Sequence, residues 1–257
     1  MAESIPIALH DNCYEPKENL IEAILAGDVA RVQQLSMRNY SVPATDSWVI
    51  YQACLQGLEM MHALSINPDS NINRAMPWQM GEQTMHFVLR TPTCRFRGTK
   101  IGVISFLIEK GAHPLQRDRQ GNTALHLLAE SPAQNNTDGF GIMQLLLDNT
   151  TFIPSTIRKE CLSHINTRND PQEEGEGCTP LMVAVLCGNT SCVQTLLEHG
   201  ASPHLVGPLF RTPLYFAVVK NLTGIAQLLL QYGGVIDSEI VAKASSLEMM
   251  TVLSQSL

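Results

Sequence analysis

The chain has 257 residues, of which 44% are hydrophobic and 16% are charged, and this composition supports a buried core and argues against overall disorder. A formal net charge of −7 excludes the basic footprint of a nucleic-acid binder, and seven cysteines without framework spacing indicate a reduced, intracellular chain. Because the sequence shows neither a signal peptide nor an apolar run near the roughly 20 residues of a membrane span, we predict a cytoplasmic or nuclear protein without membrane contact.

The N-terminal part predicts an irregular lead-in over 1–17, followed by an array of helix pairs over 18–257. Leu20, Ala23 and Ile24 have helical spacing and precede Gly27, which predicts a first unit over 18–45. Charged residues in this unit suit a terminal repeat whose outer face meets water. A second unit is predicted over 46–80 from the spacing of its apolar residues alone.

The third unit spans 81–118 and the fourth spans 121–150. Both contain extra residues in the turn between their two helices, at 90–100 and 131–140, so we expect the two enlarged turns to lie side by side. The first of these turns carries four basic residues and no acid. It is either a solvated turn or a contact for an acidic partner.

A long insertion at 148–177 separates the fourth unit from the fifth. It predicts a short helix near 155–164 and then an acidic stretch at 170–176 with four acids and no base. This stretch is either a solvated loop or a docking element.

The fifth and sixth units, 177–207 and 210–236, repeat the same features 33 residues apart. Thr179 suits a helix N-cap, and Pro180 suits the first helical position. Gly188 and Asn189 are expected to adopt positive φ and end the first helix. A closing half-repeat over 237–257 carries the same Leu-Glu-Met-Met string as 58–61. One such unit cannot bury its apolar face alone, so stacking must stabilise the array.

This unit resembles the ankyrin repeat, with its 33-residue length and its Thr-Pro-Leu-His-x-Ala signature. The segment Leu-Leu-Glu-His-Gly-Ala-Ser-Pro at 196–203 is similar to the family's second-helix ending and loop. The resemblance implies an all-α solenoid of about six helix-turn-helix repeats plus a C-terminal half-repeat, with loops termed fingers, used to bind proteins. It also implies that His86 and His126 hydrogen-bond to the backbone of a neighbouring finger. Met182 and Tyr215 replace this histidine in the last two copies.

The sequence contains no pattern that predicts a catalytic, cofactor or metal site. Cys187, Cys192, His199 and His204 form a series whose spacing does not match a zinc finger. Phosphate-binding glycine loops, nucleophile elbows and zinc-protease motifs are absent from the sequence. We therefore predict a protein without enzymatic activity, cofactor or small-molecule substrate.

Family resemblance places partner-binding residues on the fingers and on the exposed faces of the first helices. The finger positions are Arg117, Arg119, Gln120, Phe210 and Arg211. The first-helix positions are Leu127, Glu130, Val183, Leu186, Phe216, Val219 and Lys220. Phe210 is either a binding residue at a finger tip or a core residue against the adjacent finger.

We expect a protein–protein interaction module. Length and loop-interrupted repeats resemble small fungal ankyrin regulators of secondary metabolism, which implies a transcriptional coregulator. Because the chain lacks a basic, zipper-like segment, such a coregulator would act through a DNA-binding partner. A scaffold or inhibitory subunit, a substrate adaptor of a ubiquitin ligase and a host-directed effector are the alternatives.

Overall fold

The computed structural model describes residues 15–37, 47–64, 83–92, 95–130, 137–148, 153–169 and 177–255. Within these ranges the regular secondary structure is helical, without strands. The helices are α1 (Glu15–Ala26), α2 (Val29–Met37), α3 (Ser47–Gln56), α4 (Leu58–Ala63), α5 (Thr84–Arg90), α6 (Lys100–Glu109), α7 (Ala124–Glu130), α8 (Thr137–Leu147), α9 (Ser155–Ser163), α10 (Pro180–Leu186), α11 (Thr190–Glu198), α12 (Pro213–Val219), α13 (Thr223–Gln231), α14 (Ser238–Lys243) and α15 (Leu247–Ser254).

The helices stack in two parallel rows, which confirms the predicted all-α solenoid. The first row contains α1, α3, α5, α7, α10, α12 and α14, each packed against the next. The second row contains α2, α4, α6, α8, α11, α13 and α15, again packed in order. The helix predicted in the long insertion is α9, and it packs beside α8. Each repeat therefore buries its apolar face against its neighbours.

Local sequence signals explain how a repeat folds. The hydroxyl of Thr179 accepts the N–H of Met182 at 3.3 Å, and Pro180 follows at the first helical position, as predicted. Gly188 has a φ of 70°, which ends α10. The prediction of positive φ at Asn189 is wrong. That residue has a φ of −85° and caps α11 by accepting the N–H of Cys192 at 3.2 Å.

The next copy shows the same turn with a different residue. Asn221 stands 33 positions after Gly188 and adopts a φ of 55°. Asparagine tolerates this left-handed conformation better than other non-glycine residues. Gly200 and Gly233 then close the second helices with φ values of 90° and 89°. Equivalent turns of the repeat thus share the same backbone conformation even where the amino acid differs.

The enlarged turn between α5 and α6 folds back onto the preceding repeat. The N–H of Arg97 donates to the carbonyl of Leu55 at 2.9 Å. A Cβ added at Gly57 would lie 2.1 Å from the carbonyl oxygen of Arg97. Lys100 is buried, and its Nζ donates to the carbonyls of Leu89 at 2.7 Å and Thr91 at 2.8 Å. The basic run is therefore not one uniformly solvated turn, because this lysine ties the end of α5 to the start of α6.

We expect Lys100→Met to lower the free energy of unfolding by about 2 kcal/mol, because two backbone carbonyls lose a charged donor while the stem of the side chain is kept. Chemical denaturation of the variant measures this loss. Arg95→Met, at an exposed position of the same turn, is the control and should change stability by less than about 0.5 kcal/mol. Equal stability of the two variants would contradict the bonding role of Lys100.

Some predicted features lie outside the described residues. They are most of the lead-in, residues 65–80 of the second unit, most of the turn at 131–140 and the acidic stretch at 170–176. The proposed boundaries of the individual repeats stay predictions. No helix in the described part of the chain is long and apolar enough to cross a membrane.

Candidate partner-binding surface

The finger before α12 displays two large apolar side chains. Leu209 and Phe210 are 70% and 79% exposed, and they lie in a tight turn with left-handed φ values of 58° and 56°. Bulky residues adopt such values only where the surrounding structure holds them. The N–H of Gly207 donates to the carbonyl of Arg211 at 2.9 Å, which closes the base of the finger. The tip is therefore both exposed and fixed in shape.

The contacts at the base of this finger explain why it is ordered. A Cβ at Gly207 would lie 2.4 Å from the sulfur of Met182, so the finger packs directly on the preceding repeat. Arg211 pairs with Glu239 at 2.6 Å and lies 5.0 Å from the ring of Tyr215. The finger is thus held by the repeats on both of its sides.

The first-row helices beside this finger form a partly apolar face. Val183, Leu186 and Phe216 are half-buried, and Val219 is 50% exposed. Lys220 is exposed and donates from Nζ to the carbonyl of Leu186 at 2.6 Å, which joins the ends of α10 and α12. Of the predicted first-helix positions, four lie on α10 and α12, which pack against each other, and Lys220 directly follows α12.

A second finger, before α7, presents basic side chains around a buried carboxylate. Arg117, Arg119 and Gln120 are exposed, whereas Asp118 is buried. Asp118 accepts hydrogen bonds from the guanidinium of Arg90 at 2.8 Å and from the backbone N–H groups of Gln120 and Asn122. Burial raises the pKa of Asp118, but these hydrogen bonds outweigh burial and leave the pKa below its usual value of 3.8.

A polar chain continues from this finger to the next repeat. The amide of Asn169 donates to Oδ1 of Asn122 at 2.7 Å, and Oδ1 of Asn169 accepts the N–H of Cys178 at 2.7 Å. His126 donates from Nε2 to the carbonyl of Cys178 at 3.1 Å, while its Nδ1 accepts the N–H of Thr123 at 3.2 Å. His86 makes the same contacts with Gln116 and Gln83 one repeat earlier. These bonds confirm the predicted cross-repeat role of both histidines.

Comparisons with known proteins agree with this architecture. A family model described as "Ankyrin repeats (3 copies)" matches residues 155–240. The chain has the ankyrin-repeat fold. The structure of the human ASB11 ankyrin repeat domain superposes on it with a TM-score of 0.60 and 19% identity, over 93% of this chain and 97% of that chain. That likeness shows the fold.

Two curated relatives share parts of the ankyrin array. The B-cell lymphoma 3 protein homolog of Mus musculus is 32% identical over 146 residues, which are 56% of this chain and 28% of that protein. The putative ankyrin repeat protein YahD of Escherichia coli is 41% identical over 83 residues, or 30% of this chain and 41% of that protein. The chain therefore spans less than half the length of each relative. Ankyrin repeats imply a protein–protein interaction module.

The structure shows that one predicted surface residue, Leu127, is buried and that another, Phe210, is exposed. Leu127 was expected on an exposed helix face, but it is only 4% exposed. Its helix, α7, packs against α5 and α10 in its own row and against α8 and α11 in the other. Glu130 at the end of α7 is exposed, as expected. The exposure of Phe210 excludes the alternative of a core side chain, although its role in binding stays a prediction.

The five cysteines in the described part of the chain have thiols with raised pKa values. Burial raises the pKa of the thiols of Cys161 and Cys192 to about 12 and about 11, and it raises the pKa of Cys54, Cys178 and Cys187 in the same direction. A thiol with a raised pKa stays protonated at neutral pH, whereas the thiolate is the reactive form.

The cysteine and histidine series weighed as a metal site has other contacts in the ankyrin stack. His199 lies 2.8 Å from the carboxylate of Asp148 and 2.7 Å from the carbonyl of Thr195. Cys192 is buried in the core, with its sulfur 3.7 Å from the carbonyl of Leu128. The repeat itself thus accounts for the positions of these two side chains.

Proposed function

We propose that this ankyrin array binds a partner protein through its last two repeats, with the exposed tip formed by Leu209 and Phe210 as the central anchor. One observation carries this proposal. Of the ten large apolar side chains exposed in the described ranges, Leu209 and Phe210 are the two that lie next to each other, at 70% and 79% exposure. Adjacent exposed apolar side chains mark an interaction site more often than singly scattered ones do.

The shape of the tip supports a role as an anchor. Two consecutive residues that are not glycine keep left-handed backbone conformations and present their side chains outward. Such strain persists only where other contacts over-determine the backbone, and it is concentrated at functional sites. A preformed tip loses little conformational entropy on binding, so more of the contact energy appears as affinity.

The array acts, in this proposal, as a coregulator in the nucleus or cytoplasm that is brought to DNA by its partner. The net charge of −7 supports an indirect route to DNA, since direct binding requires a basic surface. The protonated thiols favour binding over catalysis. The remaining predicted residues, Arg117, Arg119, Gln120, Glu130, Val183, Leu186, Arg211, Phe216, Val219 and Lys220, extend this surface along the fingers and the first-row helices.

We expect Phe210→Ala to reduce recovery of the partner by at least about tenfold, because aromatic anchors contribute about 2 kcal/mol or more at an interface. Thermal stability should change by less than about 0.5 kcal/mol, since the side chain is mostly exposed. The measurement is quantitative affinity purification from separate nuclear and cytosolic fractions, followed by a binding titration with the purified partner.

Leu247→Ala is the matched control, because Leu247 is 81% exposed but lies on α15 in the second row. It should leave binding unchanged. A partner that binds the Phe210 and Leu247 variants equally well would reject the proposed surface. Recovery of a DNA-binding protein would support the coregulator role, whereas recovery of ligase subunits would favour an adaptor.

A further inference from the structure

We propose that the bound segment of the partner is acidic where it crosses the finger at 117–120 and apolar where it crosses the tip at Leu209 and Phe210. This inference rests on the proposed function and adds the chemistry and spacing of the ligand. The two fingers lie on the same side of the first row, because they precede α7 and α12 of that row. A single segment that follows the fingers would meet both.

The finger at 117–120 has an excess of positive charge. Arg117 and Arg119 are exposed, and the one acid between them, Asp118, has a side chain only 2% exposed. The carboxylate of Asp118 accepts hydrogen bonds from Arg90, Asn122 and Gln120, and its charge is paired with that of Arg90. It therefore does not neutralise Arg117 and Arg119. The whole chain carries a net charge of −7, so this finger is a locally positive region of a negatively charged protein.

The basic finger is also held in a fixed shape. Nη1 of Arg117 donates to the carbonyl of Arg168 at 3.0 Å, which joins this finger to the next one. The amide of Asn169 bonds to Asn122 at 2.7 Å on the other side of the turn. A Cβ at Gly121 would lie 2.4 Å from the carbonyl of Asn169, so the two fingers are in direct contact. Guanidinium groups on an ordered finger bind carboxylates with less loss of entropy than those on a mobile loop.

The repeat geometry sets the distance between the acidic and apolar parts of the ligand. One intervening helix, α10, separates α7 from α12 in the first row. Packed helices lie about 8–10 Å apart, so the two fingers are about 20 Å apart. An extended chain advances about 3.3 Å per residue, which corresponds to about six residues between acidic and apolar groups. Val183 and Leu186, on the intervening helix α10, are half-buried.

Fluorescence anisotropy with synthetic peptides tests the inference. The probe is a labelled peptide of about 14 residues in which Asp-Glu-Glu and Leu-Phe are separated by about six Gly and Ser residues, made in both orders. The comparison peptide has the same composition with a separation of about two residues. We expect the first probe to bind more tightly, and its affinity to fall as salt rises from about 50 to about 500 mM, since exposed charges are screened.

Arg117→Glu/Arg119→Glu should weaken the spaced probe by at least about tenfold. Arg31→Glu/Lys159→Glu makes the same change in charge at exposed positions on α2 and α9, and it should leave the affinity unchanged. Circular dichroism melts of both variants show whether folding is intact.

The outcomes separate this inference from the proposed function. If Leu209→Ala/Phe210→Ala weakens the probe but Arg117→Glu/Arg119→Glu does not, the acidic part is wrong and the apolar anchor stands. If neither variant matters, or the spaced probe fails to bind in either order at millimolar concentration, the inference is overturned. Equal affinity for both peptide spacings, or for a DNA duplex in place of the peptide, would also overturn it.

Discussion

Leu196→Asp is expected to unfold the C-terminal half of the array. Leu196 lies on α11, is completely buried, and belongs to the continuous core. Removing a buried leucine side chain alone costs about 2–5 kcal/mol, and an unpaired carboxylate in its place adds a further penalty. The total approaches the 5–15 kcal/mol that stabilises a typical domain.

The loss should spread beyond the mutated repeat. α11 packs against α8 on one side and α13 on the other, and in a repeat protein each unit depends on the contacts with its neighbours. We therefore expect a large fall in helical signal and a lower midpoint in thermal and urea denaturation followed by circular dichroism. Gln227→Asp, at an exposed position of the adjacent helix α13, is the control. A Leu196→Asp protein that melts like this control would reject the register of the repeat.

The register of the stack could be predicted from the sequence because it depends on local chemistry that repeats. The capping threonine, the proline after it and the glycine at the end of the second helix each prescribe a backbone conformation wherever they occur. Asn221 shows the limit of this reasoning. It adopts the conformation of Gly188 without being glycine, so a search for identical residues would miss the equivalence.

Burial in the stack could not be predicted from spacing. Leu127 and Val183 occupy equivalent positions of α7 and α10, yet Leu127 is buried and Val183 is half-buried. Lys100 stands among exposed arginines in the sequence, but its ammonium group is enclosed by two carbonyls. The burial of Leu127 and of Lys100 depends on side chains from other segments that stacking brings next to them. The 33-residue period does not tell how large those side chains are.

The links between the fingers were missed for a similar reason. Asp118, Asn122 and Asn169 are ordinary polar residues of loops, and 47 positions separate the last two. The available signal was the pair of polar residues around Gly121, which has a φ of 76°. That pair predicts a tight turn, but it does not predict that a residue from the long insertion completes the hydrogen bonds. The tip at Leu209 and Phe210 was partly anticipated, since Phe210 was identified as a candidate with two possible environments.

Acidification from pH 6.5 to about 4 is expected to destabilise the array through His126. Burial lowers the pKa of His126 to about 4 from its ordinary 6.5, outweighing the hydrogen bond to Cys178 that favours the proton. The buried ring is therefore neutral at pH 7, with Nε2 as the donor to Cys178 and Nδ1 as the acceptor from Thr123. In the unfolded chain the same side chain binds a proton below about pH 6.5.

The sign of the effect follows from this difference. A group whose pKa is lower in the folded protein contributes its full stability above the unfolded pKa, and that contribution is lost as the pH falls toward the folded pKa. The window is thus 6.5 to about 4, and the loss over it amounts to about 3 kcal/mol. Asp118, whose pKa lies below 3.8, loses its contribution only at still lower pH.

His126→Met isolates the contribution of the histidine, because methionine already occupies the equivalent position in the fifth repeat, where Met182 is completely buried. The variant should be about 1–3 kcal/mol less stable at pH 7.5, since Cys178 and Thr123 lose a hydrogen-bond partner. Between pH 7.5 and 4.5, however, its unfolding free energy in urea should fall by about 2–3 kcal/mol less than that of the wild type. His204→Gln, at an exposed position, should keep the wild-type dependence. If His126→Met and the wild type lose the same free energy over this range, folding does not lower the pKa of His126, and the pH dependence must come from other groups.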